Sequence, residues 1–355
     1  MNIDRATAVR QGEELAIDKL KNYLVKQGFN DTIEVQQFPK GYSNLTYLLK
    51  IGAASYVLRR PPFGAAIKTA HDMGREYTIL SGLIKVYPKV PKPLLYCTDE
   101  TVIGCPFYIM ERVEGIILRP QMPKNELPNA QQMQGIAQSL VSTFAELHAV
   151  DYKAAGLAGL GKPDGYVARQ VYGWTKRYYK AQTDSIAAID QVAQWLANNM
   201  PKESGAALIH NDYKYDNVVL NPTKPTEIIA LLDWEMSTIG DPLMDLGTSL
   251  GYWLNAGDPP AIRALELSPT TAPGNPTRAA FAQQYAQKSG KNLDDIVFYY
   301  VYGLFKIAVI IQQIYYRYKK GYTQDKRFAG LLGAVKACGL MGSQAIAKKR
   351  LDDLF

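Results

Sequence analysis

Residues 210–235 constrain the chain more than any other stretch. They begin His210-Asn211-Asp212-Tyr213-Lys214-Tyr215-Asp216-Asn217 and run into apolar Val218-Val219-Leu220. A Pro-Thr-Lys-Pro-Thr turn follows, then Ile228-Ile229-Ala230-Leu231-Leu232 and Asp233-Trp234-Glu235. Two short apolar runs joined by a proline-rich turn predict a β-hairpin. Pairing the runs brings Asn217, before the first, and Asp233, after the second, to the same end. An amide oxygen and a carboxylate are hard ligands of the kind Mg²⁺ selects, with substrate phosphates completing its shell. Asp212 then lies beside the metal, where a carboxylate can orient a hydroxyl nucleophile and take its proton. Lys214 can set a positive charge against a moving phosphoryl group. Taken singly, Asp212, Asn217 and Asp233 also suit turns and caps; their joint spacing favours the chemical reading. His210 reads as loop support rather than a base, and the scattered histidines make no zinc pattern.

Around this segment the chain divides in character. Residues 11–28 carry apolar residues at helical spacing. Residues 33–60 read as strand, loop and two strands, which starts an antiparallel sheet rather than a βαβ unit. A helix over 71–86 contains Glu76, and a further strand pair ends at Phe107-Tyr108-Ile109-Met110-Glu111. Residues 131–149, 166–199 and 277–350 read as mainly helical, and the Pro/Gly-rich stretch 255–276 as a long irregular loop. The expected class is α+β. A small mixed N-terminal part, 1–111, precedes a large, mainly helical part, 112–355.

The N-terminal part supplies candidate nucleotide contacts. Gly41, Ser43 and Asn44 lie in a turn whose backbone and hydroxyl donors can meet phosphates, although the chain has no P-loop and no dinucleotide fingerprint. Arg59 ends a strand and can face the α- and β-phosphates. Glu76 can pair with it and fix its direction. The strand 107–111 can line an adenine pocket, with backbone groups near Glu111 and Val113 reading the base.

These residues resemble the aminoglycoside phosphotransferase-like kinases, relatives of choline kinases and protein kinases. The resemblance rests on His210-x-Asp212-x-Lys214-x-x-Asn217, on Leu232-Asp233-Trp234-Glu235 and on Gly240-Asp241-Pro242-Leu243-Met244-Asp245. It implies a bilobal protein kinase-like fold and phosphate transfer from ATP, with Mg²⁺, to a hydroxyl of a small molecule. Asp212 is the implied catalytic base, Asn217 and Asp233 the metal ligands, and Arg59 with Glu76 the strand cation and helix acid. Asp241 and Asp245 are implied to hold the loop and a helix start. Tyr56-Val57-Leu58-Arg59-Arg60-Pro61-Pro62 and Arg75-Glu76 look like the acyl-CoA dehydrogenase-associated branch, which brings a hydroxyacyl-CoA among the candidate acceptors.

Composition narrows the partners. The net charge of +7 favours anionic ones, but the basic residues are scattered and nucleic-acid binding is not expected. From Met236 onward, nine acidic and fourteen basic residues leave a net of +5, which suits a polycationic acceptor poorly. The aromatic residues of the tyrosine-rich stretch 296–318 can line an acceptor pocket, with half of them expected in the core. The longest contiguous apolar run near the C-terminus, Ile307–Ile311, predicts no membrane span. Three dispersed cysteines and a polar start lacking a signal-peptide core point to the cytoplasm. The rival readings are a protein kinase, whose activation segment ending in A-P-E is missing after Asp233, and a non-catalytic nucleotide-binding module.

Overall fold

The computed structural model describes residues 5–38, 44–63, 72–120 and 122–355. Helix α1 (Ile17–Lys26) precedes strands β1 (Ile33–Gln37), β2 (Leu45–Ile51) and β3 (Ala54–Arg60). Then come α2 (Met73–Leu83), β4 (Pro93–Cys97), α3 (Glu100–Ile103) and β5 (Phe107–Glu111). The strands form one antiparallel sheet in the order β1-β2-β3-β5-β4. Alternation along the strands sends side chains to two faces. Tyr47, Leu49, Leu58, Phe107 and Ile109 pack with Leu20 and Leu24 of α1. Val57, Tyr108 and Met110 pack on the other face with Ile79, Leu80 and Leu83 of α2. Arg59, two residues beyond Val57, therefore shares the α2 face. Asp72 caps α2 by accepting from the Arg75 amide at 3.0 Å.

The larger lobe is helical. It comprises α4 (Ala130–His148), α5 (Tyr166–Ala181), α6 (Ala187–Asn198), α7 (Pro242–Tyr252), α8 (Pro260–Arg263), α9 (Arg278–Ser289), α10 (Ile296–Lys319) and α11 (Leu331–Lys348). Two small antiparallel ribbons sit among the helices. Strand β6 (Ala207–Ile209) pairs with β9 (Thr238–Gly240), and β7 (Val218–Leu220) pairs with β8 (Ile228–Leu231). The second ribbon is the expected hairpin, with Val218 opposite Leu231. The stretch 255–276 is less irregular than its composition implies, since α8 and a 3₁₀ turn at Pro269–Thr271 lie within it.

Helix α10 runs through the centre of this lobe against α5, α7 and α11. Its length and composition are sufficient to cross a membrane, and so are those of Lys326–Lys348. The five-residue run Ile307–Ile311 is thus only part of a longer apolar helix. Lys306 and Gln312 interrupt contiguity without making the helix polar overall. Here α10 is mostly buried in protein, as a core helix is. The same packing puts much of the aromatic set of α10 in the core rather than in an acceptor pocket. Phe298, Tyr299, Tyr300, Tyr302 and Phe305 are all buried within the main core.

The α7–α10 crossing needs glycine. A methyl group added at Gly303 would overlap the Gly247 carbonyl, and one at Gly247 would overlap the Tyr299 carbonyl. Backbone meets backbone there, so neither helix can yield by rotating a side chain. Gly303→Ala is expected to destabilise the protein by about 1–3 kcal/mol or more through overpacking. Thermal melting checks this, with the half-buried helix glycine Gly173, where an added methyl meets only the end of the Arg177 side chain at ordinary distance, changed to Ala as the comparison.

Candidate active site

The loop after β6 is held by a buried carboxylate. Asp245, in the first turn of α7, accepts from the His210 amide at 2.6 Å and the Asn211 amide at 2.8 Å. His148 Nε2 lies 3.2 Å from the same side chain, and its Nδ1 lies 2.7 Å from the Tyr285 hydroxyl. Burial opposes ionisation of Asp245, but the His148 hydrogen bond and charge, with His210, hold its pKa below the ordinary carboxylate value. Asp241 caps α7 through the Leu243 amide at 2.8 Å and also accepts from Ser204. Asn211 is left-handed, at φ 65°. Its carbonyl accepts from the buried Lys306 ammonium at 3.0 Å, and its side chain donates to the Met236 carbonyl at 3.1 Å.

His210 ties two parts of the site. Its Nε2 is 2.8 Å from the Leu232 carbonyl, so that nitrogen carries the proton and donates. The ring therefore braces the loop against the strand leading to Asp233. The Leu232 amide in turn donates to the Asn217 carbonyl at 2.9 Å. Hairpin pairing thus continues past β7 and β8 and sets Asn217 and Asp233 at one end. Asp233 is also left-handed, at φ 65°, a strained state for a non-glycine residue and one that clusters at functional sites.

Asp212 sits between two donors. Lys214 Nζ lies 2.8 Å from each of its carboxylate oxygens, and Asn217 Nδ2 lies 2.8 Å from its Oδ2 and from its carbonyl. Burial disfavours the Lys214 charge, yet Asp212, Tyr252 and Asp216 together outweigh that and raise the lysine pKa. With its amide nitrogen turned to Asp212, Asn217 has its oxygen left for a cation.

Arg59 collects acids from both lobes. Nη1 pairs with Glu76 Oε1, while Nη2 lies 3.1 Å from Asp233 Oδ1 and 3.7 Å from Glu235 Oε2. Burial opposes the guanidinium charge, but Glu76 and the other acids secure it. Burial raises the Glu76 pKa more than Arg59 lowers it. At Asp233, burial opposes ionisation, and the charge and hydrogen bond of Arg59 overcome it to lower the pKa. One guanidinium facing three carboxylates is a site with room for another positive charge. The oxygen donors of Asn217 and Asp233 suit a hard cation.

A cleft of about 920 Å³, open mouth included, runs between the lobes. Val57, Leu80, Met110 and Ile117 give it apolar walls, and Arg59, Glu76, Asn217 and Asp233 also line it. Glu111 and Val113 line it too, and the Glu111 amide donates to the Lys92 carbonyl at 2.8 Å. Asn44 donates to Glu235 at 2.7 Å and so joins the lobes. Gly41 and Ser43 lie outside the described residues. Sequence reasoning missed Glu235 as a partner of Arg59, and Lys306 as a support of Asn211. It also missed Arg75, whose guanidinium reaches the Leu160 carbonyl at 3.1 Å and the Ser237 carbonyl at 2.8 Å across the lobes. The Arg75-Glu76 pair was visible, but nothing in it says that the two side chains serve different contacts.

Residues 34–281 match the phosphotransferase enzyme family. The chain belongs to that family. It has the bilobal fold expected from its sequence. A putative aminoglycoside phosphotransferase from Ralstonia eutropha superposes with a TM-score of 0.80 at 32% identity, over 94% of this chain and 99% of that one. An aminoglycoside phosphotransferase solved with ADP and hygromycin B superposes with a TM-score of 0.59 at 14% identity, over 91% of this chain and 97% of that one. That second likeness is one of fold. Acyl-CoA dehydrogenase family member 11 of Rattus norvegicus is 39% identical over 90% of this chain and 42% of its own length. Family member 10 of Mus musculus is 34% identical over 89% of this chain and 30% of its own length. The chain thus spans less than half of either relative.

Asp245→Asn keeps the shape but gives a donor to amides that need an acceptor. It is expected to cost about 3–5 kcal/mol, the range for breaking a buried ionic contact. The folded pKa lies below the unfolded value of about 3.9. The stabilisation is therefore complete above that pH and is lost as pH falls through the folded pKa. Denaturant melts of wild type and variant at pH 7 and below pH 4 should show the gap narrowing in acid.

Proposed function

We propose that the chain transfers the γ-phosphate of ATP, with Mg²⁺, to a hydroxyl of a small molecule. Residues 1–111 act as the nucleotide lobe, and residues 112–355 carry the catalytic and acceptor groups. The observation that carries this reading is the single cleft lined by Arg59, Glu76, Asn217 and Asp233, with Asp212 held by Asn217 beside it. The apolar end of the cleft suits the base. Arg59, directed by Glu76, suits the phosphates. Asn217 and Asp233 would hold the magnesium, which when bound supplies neutralisation of the triphosphate.

Asp212 accepts a hydrogen bond from the acceptor hydroxyl and aligns its oxygen. The new O–P bond forms as the bond from the γ-phosphorus to the ADP oxygen breaks, and the hydroxyl proton passes to Asp212 late in the transfer. Lys214, fixed on Asp212, supplies positive charge beside the moving phosphoryl group. The family relationship to acyl-CoA dehydrogenase family members supports an acyl-CoA-linked acceptor, and a hydroxyacyl-CoA is the finer form of this proposal.

Asp212→Asn is expected to lower kcat by about 10²–10⁴-fold, the range for losing a general base, with ATP affinity changed little. Transfer assays against a panel of alcohols and nucleotide titration check the two halves; a wild-type rate in the variant would remove Asp212 from its role. Asp233→Ala is expected to raise the magnesium concentration needed for half-maximal transfer at least tenfold. An unchanged magnesium dependence would move the metal elsewhere.

A further inference from the structure

A second basin opens beside the catalytic segment. Asn211, which immediately precedes Asp212, lines it together with Lys162, Arg169, Trp174, Arg177 and Lys306. Four of its lining residues are cationic, and no carboxylate lines it. Three of the cations, Lys162, Arg169 and Arg177, are exposed around the basin. Arg169 spends donors on the Asp164 and Lys162 carbonyls, and Arg177 lies 4.7 Å above the Trp174 ring. None of the four forms an ion pair among the described residues. Lys306 is buried, with the Asn211 carbonyl and side-chain oxygen as its hydrogen-bond partners.

This arrangement is unlike an ordinary solvated basic face. Helix α5 turns Arg169, Trp174 and Arg177 toward the catalytic loop, and α10 brings a buried ammonium to the same place. Keeping a buried ammonium without a contacting carboxylate is costly, and an anion in the basin offsets that cost. A polyammonium acceptor would meet like charge, which disfavours binding by several kcal/mol.

We propose that this basin is the acceptor subsite and that it holds an anionic group, a phosphate ester or a carboxylate, on the alcohol that receives the phosphoryl group. The inference rests on the phosphotransferase reading above and adds the charge of the acceptor and the residues that select it. The nucleotide cleft and this basin are both lined by residues of the 211–217 loop, so a hydroxyl anchored through its anion in the basin lies next to Asp212. Burial lowers the Lys306 pKa to about 8, so a bound anion would also favour its charged form.

The test uses the full chain with Mg-ADP held at saturation, so that the nucleotide cleft is filled. Calorimetric titrations with glycerol 3-phosphate and 3-hydroxybutyrate separate a phosphate-reading basin from a carboxylate-reading one. At least one should bind, and the surface double variant R169E/R177E should bind it at least tenfold more weakly with Mg-ADP affinity within twofold. Equal affinity in the variant, binding of neither anion, or tighter binding of an aminoglycoside would overturn the proposal. Transfer assays separate the two readings. Anion binding that the variant loses, with no phosphate transfer to any alcohol by the wild type, would overturn the kinase reading and leave the anion site. Transfer to an alcohol whose KM is the same in R169E/R177E would overturn the site and leave the kinase reading.

Discussion

The site depends on one buried guanidinium. Arg59 comes from the small sheet, takes its direction from Glu76 on α2, and reaches Asp233 and Glu235 in the helical lobe. The hydrogen bond from Asn44 to Glu235 and the Arg75 contacts to Leu160 and Ser237 reinforce the same junction. Without a nucleotide, Arg59 partly neutralises the acid proposed to hold magnesium. Phosphates and a metal together can take over both halves of that interaction, the anions drawing Arg59 and the cation drawing Asp233. The ion pair therefore preserves the two binding elements in register while neither ligand is present.

The catalytic loop has a separate anchor. Asp245 receives two consecutive amides of the loop, and it stands on a helix that contacts α10 through glycine backbones. That close crossing places Asp245 under the loop and Lys306 beside Asn211. The two left-handed residues, Asn211 and Asp233, are tolerated because each is over-determined by its surroundings. His210 couples them by donating to Leu232. Precision in Asp212 and Asp233 thus comes from buried polar contacts, not from the apolar core alone.

Much of this was legible in the chain because it is local. The hairpin announces itself by two apolar runs and a proline turn, and its register forces Asn217 and Asp233 together. The five strands of the small lobe show as short runs between turns. What was not legible is long-range. Lys306 lies 95 residues from Asn211, in a helix whose apolar pattern conceals its crossing geometry. Which tyrosines of α10 are core and which are not was not legible, because aromatic composition does not distinguish core from lining; packing on several helices buries Tyr299, Tyr300 and Tyr302. The strand ending at Glu111 was readable, but the bond from its amide to the Lys92 carbonyl, from the segment just before β4, was not. Arg169 and Arg177 read as ordinary helix-surface charge until the fold set Lys306 beside them.

The most direct measurement is a crystal structure with magnesium and a non-hydrolysable ATP analogue. The account predicts the analogue in the interlobe cleft, its phosphates on Arg59 with the Glu76 pair retained, and the metal held by Asn217 and Asp233. A nucleotide bound outside that cleft, or a metal held without Asn217 and Asp233, would contradict it.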